Sequence, residues 1–205
     1  ALVNIIEALL NEAPMPEAEE ATEYCPVTLS ASKRDIALEK RWITSARSTG
    51  AETDIDYAAS QPSATGYVVN PETLTVKAGS KFSLRVKTTQ NDDDLRYCRV
   101  ALFADWNRDF IFNTEGNELL ARRGNANQAN TAILNALFSI SVPEDATPGE
   151  SRLRLVYADA WADEPYPCGE LMKGFAFDIP MLITDDATAI APMPETQHYH
   201  IEGTT

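Results

Sequence analysis

Histidine is nearly missing from this 205-residue sequence. The only two, His198 and His200, lie close to the end of the chain, in QHYH. The rest of the chain therefore lacks the base of a Ser–His–Asp or Cys–His catalytic set and the ligands of an HExxH zinc site. GxSxG, phosphate-cradling and dinucleotide motifs are missing as well. Paired carboxylates would still allow glycoside hydrolysis, but no pair stands out, and we expect a protein that is not an enzyme.

Basic residues and long apolar runs are also scarce. The chain has 17 Lys and Arg against 31 Asp and Glu, and its formal net charge is −14. Such a chain repels a phosphate backbone, so we expect no nucleic-acid partner. No run of about 18 apolar residues occurs, so we expect no membrane span.

Cysteine occurs three times, and no two cysteines form a CxxC pair, which excludes a zinc ribbon. Cys25 and Cys168 lie in turn-like, proline-flanked surroundings, EYCP and YPCGE, whereas Cys98 lies inside the strand-like run RYCRVALFAD. In an oxidising compartment this pattern favours a Cys25–Cys168 disulfide with Cys98 buried and reduced. Three free thiols are the alternative.

Short segments with period-two alternation fill the middle of the chain. In KFSLRVKTT, apolar side chains alternate with polar ones from Phe82 to Val86, which predicts a strand with one buried face. SRLRLVY and FAFDIPMLI follow the same pattern. Further candidate strands are RWITSARS, GYVVN, LTVKA, YCRVALFAD, ELLARRG and ILNALFSISV. With turn residues and no helix between them, they predict an all-β fold, an antiparallel β-sandwich of immunoglobulin-like or jelly-roll-like form.

The flanks of the chain differ from its middle. LVNIIEALLNE has apolar residues at helical spacing, so residues 1–12 are predicted to form a short N-terminal helix. An acidic, proline-containing linker follows over residues 13–23, and its letters APMPE recur at residues 191–195. We therefore expect the β-sandwich domain over residues 24–185. Residues 186–205 then form a linker or tail that leads into a further C-terminal region.

The run DWNRDFIFNTEGNE, residues 105–118, has oxygen-bearing side chains on alternate residues. Calcium loops present side chains at positions 1, 3 and 5, a backbone carbonyl at position 7, and a later carboxylate. The candidate calcium ligands are Asp105, Asn107, Asp109, the carbonyl of Ile111, and Glu118 or Glu115.

Two positions of this run depart from a calcium loop. Phe110 stands where the sharp turn favours glycine, and Gly116 stands where an EF-hand has its bidentate acid. The run is therefore not an EF-hand. The alternative is a polar β-turn in which Asp105 and Asn107 bond to backbone amides.

The segment WADEPYP places aromatic residues among turn residues. Trp161 and Tyr166, with Asp163 nearby, would stack on a sugar face and bond its hydroxyl groups. In the alternative, Trp161 packs over the end of the sandwich, held by Pro165 and Pro167. The first interpretation predicts a binding module for an extracellular glycan or protein ligand.

Four motifs in order resemble the GEVED domain, a β-sandwich module of secreted and cell-surface bacterial proteins that is common in the Bacteroidetes. They are YC at residues 24–25, ALFADWNRDFIFNTEGNELL, VPEDATPGESRLRLVYAD and PCGELMKGFAFDI. The resemblance covers residues 24–184. It implies a secreted or cell-surface location and neighbouring domains in a longer polypeptide. The function it implies is a non-catalytic binding or adhesion module, and the alternative is a structural spacer beside a secreted hydrolase or peptidase.

Individual positions carry the resemblance unevenly. The residues that match the family pattern are Asp105, Asn107, Asp109, Pro143, Gly149, Arg154, Cys168, Gly174 and Asp178. In the naming motif we prefer the register GFAFDI to Gly169–Glu170. In that register Phe175 and Phe177 replace both family glutamates, so any ligand role of those glutamates is lost here.

Overall fold

The computed structural model describes residues 21–89, 96–161 and 164–186. Its strands are β1 (Val27–Leu29), β2 (Ile43–Thr49), β3 (Asp56–Ala58), β4 (Tyr67–Val69), β5 (Leu74–Lys77), β6 (Lys81–Thr88), β7 (Cys98–Ala104), β8 (Leu119–Arg123), β9 (Asn135–Ser141), β10 (Gly149–Asp159), β11 (Gly169–Leu171) and β12 (Phe175–Thr184). A short helix α1 (Arg34–Lys40) and a 3-10 helix (Thr131–Leu134) complete the described elements. The predicted N-terminal helix, most of the linker after it and all but the first residue of the tail lie outside the described residues.

The strands form two main sheets. The large sheet has the order β4-β12-β10-β7-β8, and β5 also pairs with β12; the small sheet has the order β3-β2-β6-β9. The small sheet is antiparallel throughout, whereas β4 and β5 run parallel to β12 at the edge of the large sheet. The predicted all-β sandwich is confirmed, with this parallel edge as an addition to the antiparallel pattern.

The main core lies between the two sheets. It includes Leu84 and Phe138 from the small sheet and Leu102, Leu155 and Phe177 from the large one, each at most 1% exposed. All five lie on strands that the alternation predicted. Burial of these apolar side chains is the main force that holds the two sheets together.

The large sheet is covered on its other face as well, which we call the outer face. The parallel pair β1–β11 lies there, and Val27 and Leu171 from this pair pack against Phe103 and Val156 of the sheet. Strands β7, β10 and β12 are therefore buried on both sides. The alternation in SRLRLVY predicted a polar face for Arg152, Arg154 and Val156. The structure corrects this, because Arg154 and Val156 are buried on that face.

Among the described residues no α-helix lies between the candidate strands, as expected, but α1 precedes the first of them and separates it from β1. Its sequence, RDIALEK, has Asp35 in the first turn and Lys40 in the last turn, which is the favourable charge arrangement for a helix dipole. A helix of seven residues is too short for a periodic apolar pattern to show. Among the described residues, no helix has the length and apolar character that crossing a bilayer requires.

Candidate binding surface and the motif cluster

A buried arginine and a buried aspartate meet on the outer face. Arg154 on β10 and Asp178 on β12 are register partners, and their side chains are 1% and 0% exposed. Nε and Nη2 of Arg154 donate to the two carboxylate oxygens of Asp178, each at 2.7 Å. Burial alone would lower the pKa of Arg154, but the hydrogen bonds and charge of Asp178 raise it above its ordinary value. Arg154 therefore keeps its positive charge at neutral pH.

The same arginine holds the two segments that carry the disulfide. Its Nη1 donates to the carbonyl oxygens of Cys25 and Pro167 at 2.7 and 2.8 Å. Cys25 and Cys168 form a disulfide with Cα atoms 5.5 Å apart, and Cys98 is a free, buried cysteine. The structure thus agrees with the pairing that the sequence favoured.

Tyr24 and Asp105 extend this cluster toward the 105–118 loop. The Tyr24 hydroxyl donates to Oδ2 of Asp105 at 2.7 Å, and the guanidinium carbon of Arg152 lies 4.4 Å from the centre of the Tyr24 ring. Burial and then the neighbouring Asp105 carboxylate raise the pKa of Tyr24 well above its ordinary value. The phenol is therefore protonated and acts as a hydrogen-bond donor.

Asp105 is fully buried and serves as the centre of a tight turn. Its Oδ1 accepts the backbone N–H groups of Arg108 and Asp109 at 2.6 and 3.3 Å. Its Oδ2 accepts the backbone N–H of Phe110 at 3.2 Å in addition to the Tyr24 hydroxyl. An ionised carboxylate has roughly four acceptor sites, so these donors use all of them.

The other candidate calcium ligands are also engaged within the loop. Asn107 donates to Asp109 at 2.8 Å and accepts its backbone N–H at 3.1 Å. Both carboxylate oxygens of the buried Glu118 accept N–H groups, from Trp106 and Asn113.

These contacts decide how the loop fits a calcium ion. The N–H groups of the loop point at the oxygens that a cation would need, and Ile111 itself donates its backbone N–H to Asp109 at 2.8 Å. As arranged, the loop has the geometry of the hydrogen-bonded turn and does not fit a calcium ion at Asp105. Melting with and without calcium tests whether this loop binds the ion that the sequence predicted.

A second region exposes large aromatic side chains. The side chain of Trp161 is 60% exposed, and that of Tyr166 is 54% exposed. The Trp161 ring lies 5.2 Å from the Tyr97 ring, centre to centre, and the guanidinium carbon of Arg96 lies 5.6 Å from the Tyr97 centre. We call Arg96, Tyr97 and Trp161 the aromatic platform. Trp161 is too exposed to be the packed lid of the alternative interpretation.

Tyr166, another predicted ligand residue, is not part of the platform. Among the described residues, no ring contact joins Tyr166 to Trp161. Asp163 lies outside the described residues. Tyr166 follows the buried Pro165, and its backbone N–H donates to the carbonyl of Glu164 at 2.8 Å.

A buried ionic group fixes the backbone beneath Trp161. Asp159, at the end of β10, accepts from Nη1 of Arg41 at 3.1 Å, from Nζ of Lys173 at 3.3 Å and from the backbone N–H of Trp161 at 3.1 Å. Burial raises the pKa of Asp159, but the hydrogen bonds from Arg41 and Trp161 and the Lys173 charge together bring it below its ordinary value. A rigid support of this kind reduces the conformational entropy that is lost when a ligand binds against Trp161.

Sequence reasoning did not single out Tyr97 or Arg96. Strand register brings Tyr97 close to Trp161, because Cys98 on β7 is the partner of Asp159 on β10. Their separation along the chain carries no periodic signal that would reveal this pairing.

In the preferred register of the naming motif, Gly174 and Asp178 both have a structural role. Asp178 pairs with Arg154, and Gly174 lies against the backbone of Tyr157. A Cβ atom on Gly174 would come within 2.0 Å of the Tyr157 carbonyl oxygen, so only glycine fits there. Phe175 and Phe177 belong to the main core.

Two comparisons with known proteins bear on this arrangement. No curated protein matches the chain. The family model described as the GEVED domain matches residues 99–178, a range that begins in β7 and ends at Asp178 of the motif cluster. The resemblance to the GEVED domain that the sequence predicted is confirmed over that range.

Proposed function

We propose that this chain is a non-catalytic binding module of a secreted or cell-surface protein, and that the aromatic platform binds an extracellular glycan. The observation that supports this most directly is the 60% exposure of Trp161. Tryptophan is a large apolar residue that usually buries most of its surface. An indole left in solvent beside a second ring presents the flat apolar surface that a sugar ring stacks on.

The surroundings of Trp161 suit recognition of a polar ligand. The guanidinium carbon of Arg96 lies 5.6 Å from the centre of the Tyr97 ring, which in turn contacts the Trp161 ring. Polar groups next to an aromatic surface supply orientation, whereas the ring supplies contact area.

The proposed location follows from the disulfide and the family. A bridge such as Cys25–Cys168 persists in oxidising compartments and is rare in the cytosol. The matched GEVED family points in the same direction, since the resemblance implies secreted and cell-surface proteins.

A structural spacer is the second candidate, and one observation favours it. Several residues that match the family motif form hydrogen bonds within the domain. Arg154 bonds to Asp178, and Asp105 bonds to its own loop and to Tyr24. Arg154, Asp178 and Asp105 are buried, so their polar groups stabilise the domain and do not face solvent. On this hypothesis the module holds a neighbouring hydrolase or peptidase in place and binds no ligand.

A glycan array with the wild-type protein and two variants separates the two candidates. Trp161→Ala removes the platform ring, and Leu137→Ala is the matched control because Leu137 is also exposed, at 43%, but lies on the small sheet. We expect the wild type and Leu137→Ala to bind the same glycans and Trp161→Ala to lose at least about tenfold in affinity. Absence of binding by the wild type, or equal binding by Trp161→Ala, would favour the spacer.

A further inference from the structure

The residues that the structure describes cover the small sheet on one face only. Its strands alternate between side chains in the main core, such as Leu84 and Phe138, and side chains that point away from the core. We call the outward side chains of β3, β2, β6 and β9 the open face; they run from Asp56 on β3 to Leu137 on β9. None of them is buried, so a partner can reach the whole of this face.

The open face has a charge opposite in sign to that of the chain. Its basic residues are Arg47 on β2 and Lys81, Arg85 and Lys87 on β6, and its acidic residue is Asp56 on β3. The whole chain, in contrast, has 17 Lys and Arg against 31 Asp and Glu. An even distribution would give this face more acidic than basic residues. Positive charge is therefore concentrated on this surface.

The carboxylates near the open face are already engaged at one of its edges. Asp56 forms a bidentate pair with Arg47, so these two charges neutralise each other. Glu72 accepts the backbone N–H of Asp56 at 3.0 Å, and Asp54 accepts N–H groups of its own turn between β2 and β3. All three carboxylates lie at or beside β3, which is separated from β6 by β2 in the sheet order.

Strand β6, between β2 and β9, has the charges that remain. Lys81, Arg85 and Lys87 form no ion pair within the part of the chain that the structure describes. Lys81 begins β6 next to a cleft that Glu144 and Asp186 line, so it lies closest to negative charge. The unopposed positive charge is therefore centred on Arg85 and Lys87.

Arg85 and Lys87 have a fixed spacing in the middle of the sheet. They are two residues apart on β6, so their Cα atoms are about 7 Å apart. Nη1 of Arg85 donates to Oδ1 of Asn135 at 3.1 Å, which uses one of the five N–H groups of the guanidinium. The register partners of Lys87 are Ser45 and Asn135, so a hydroxyl and an amide side chain lie on either side of it. An anionic ligand at this place meets two cations and neighbouring hydrogen-bonding groups.

We propose that the open face binds an acidic polysaccharide, one with carboxylate or sulfate groups, at Arg85 and Lys87. Guanidinium and ammonium groups form charge-assisted hydrogen bonds with such anions, and Ser45 and Asn135 bond to sugar hydroxyls. The aromatic platform adjoins β7 and β10 of the large sheet. The proposed site is therefore separate from the platform and does not rest on it.

Two other kinds of anionic partner fit the open face less well. Protein interfaces have aromatic and apolar residues at their centre and few lysines. The outward side chains of these four strands include no aromatic ring and one large apolar residue, Leu137. Single-stranded nucleic acids are bound through aromatic rings on which their bases stack. Positive charge among hydroxyl and amide groups therefore fits a saccharide best.

Fluorescence anisotropy on the whole chain tests the proposal with two labelled acidic probes, an oligogalacturonate with carboxylates and a heparin oligosaccharide that also has sulfates. A labelled maltooligosaccharide of the same length is the neutral probe, and a polyglutamate peptide and an oligodeoxythymidylate represent the other two partners. The variant is Arg85→Gln/Lys87→Gln. Its matched control, Lys40→Gln/Arg122→Gln, removes the same charge from two exposed residues outside the small sheet. Both double variants should keep the Tm of the wild type, since exposed substitutions change stability little.

We expect at least one of the two acidic probes to bind at least about tenfold more tightly than the maltooligosaccharide, and to bind less tightly as the salt concentration rises. The probe that binds identifies the acidic group. Arg85→Gln/Lys87→Gln should weaken this binding at least about tenfold, whereas the matched control and Trp161→Ala should leave it unchanged. Binding that only Trp161→Ala removes belongs to the aromatic platform, so the two proposals fail separately.

Three results would overturn the proposal directly: no binding of either acidic probe at millimolar concentration, equal affinity of the wild type and Arg85→Gln/Lys87→Gln, or an equal loss in Lys40→Gln/Arg122→Gln. Tighter binding of the polyglutamate peptide or of the oligodeoxythymidylate would overturn it in favour of a protein or a nucleic-acid partner.

Discussion

Replacing Asp178 by Asn should be among the most destabilising single changes in this domain. The substitution keeps the shape of the side chain and removes its charge. Arg154, whose side chain is 1% exposed, then keeps a buried positive charge with no counter-charge in contact. Arg152, which also donates to Asp178, adds a second positive charge next to the first.

The magnitude follows from the burial of the pair. Removing one partner of a buried ion pair costs about 3–5 kcal/mol, out of the roughly 5–15 kcal/mol by which a typical domain is stable. For a chain of about this size each kcal/mol lowers Tm by about 2–4 °C, so Asp178→Asn should lower Tm by about 6–20 °C. Urea unfolding followed by tryptophan fluorescence gives the free energy, provided that the slope m is unchanged.

An exposed pair in the same protein is the matched control. Arg47 and Asp56 form a bidentate pair on the small sheet, and their side chains are 66% and 60% exposed. Asp56→Asn should therefore cost no more than about 1 kcal/mol. If Asp178→Asn were no more destabilising than Asp56→Asn, the argument from buried charge would be wrong. The double variant Arg154→Met/Asp178→Leu should be more stable than Asp178→Asn, since it leaves no buried charge.

Three further predictions concern the disulfide, the loop and the tyrosine of the motif cluster. Reducing the Cys25–Cys168 bridge should lower the free energy of unfolding by about 2–5 kcal/mol, because its partners are 143 residues apart; equal urea midpoints with and without dithiothreitol would contradict this. Tm should be the same in EDTA and in millimolar calcium, because the loop carboxylates already accept N–H groups; a rise that is lost in Asn107→Ala/Asp109→Ala would instead establish a calcium loop. The pKa of Tyr24 is higher in the folded state, so its contribution to stability is fully present below about pH 10 and is lost as the pH rises further. Alkaline unfolding curves of Tyr24→Phe should therefore depend less on pH above 10, and an unchanged dependence would count against this assignment.

The sequence predicted most strands of the two main sheets, because the longer ones have enough residues for alternation to show. KFSLRVKTT became β6, and FAFDIPMLI became most of β12. The missed strands, β1, β3 and β11, have three residues each, too few for a period of two to be distinguished from chance. They depend on tertiary contacts, as β1 and β11 do on each other.

The sequence predicted individual residues of the site but not which of them contact each other. Turn chemistry identified Asp105 and its alternate partners, since these residues bond to nearby backbone amides. The pairing of Arg154 with Asp178 depends instead on the register between β10 and β12, which no local pattern encodes. The same holds for the contact of Tyr97 with Trp161. Sequence reasoning therefore finds candidate residues, whereas strand pairing decides which of them act together.

The disulfide has a mechanical consequence for a module that is pulled from both ends. Because Cys25 and Cys168 are joined, tension applied to the chain before residue 25 passes through the bridge to residue 168. It does not load the residues between them. In the oxidised protein the chain between the two cysteines cannot be extended by the applied force. The extended length is therefore shorter by about 490 Å, for a separation of 143 residues at about 3.4 Å each. The stretched part is then the segment with β11 and β12, and β12 lies inside the large sheet, bonded to β10 on one side and to β4 and β5 on the other.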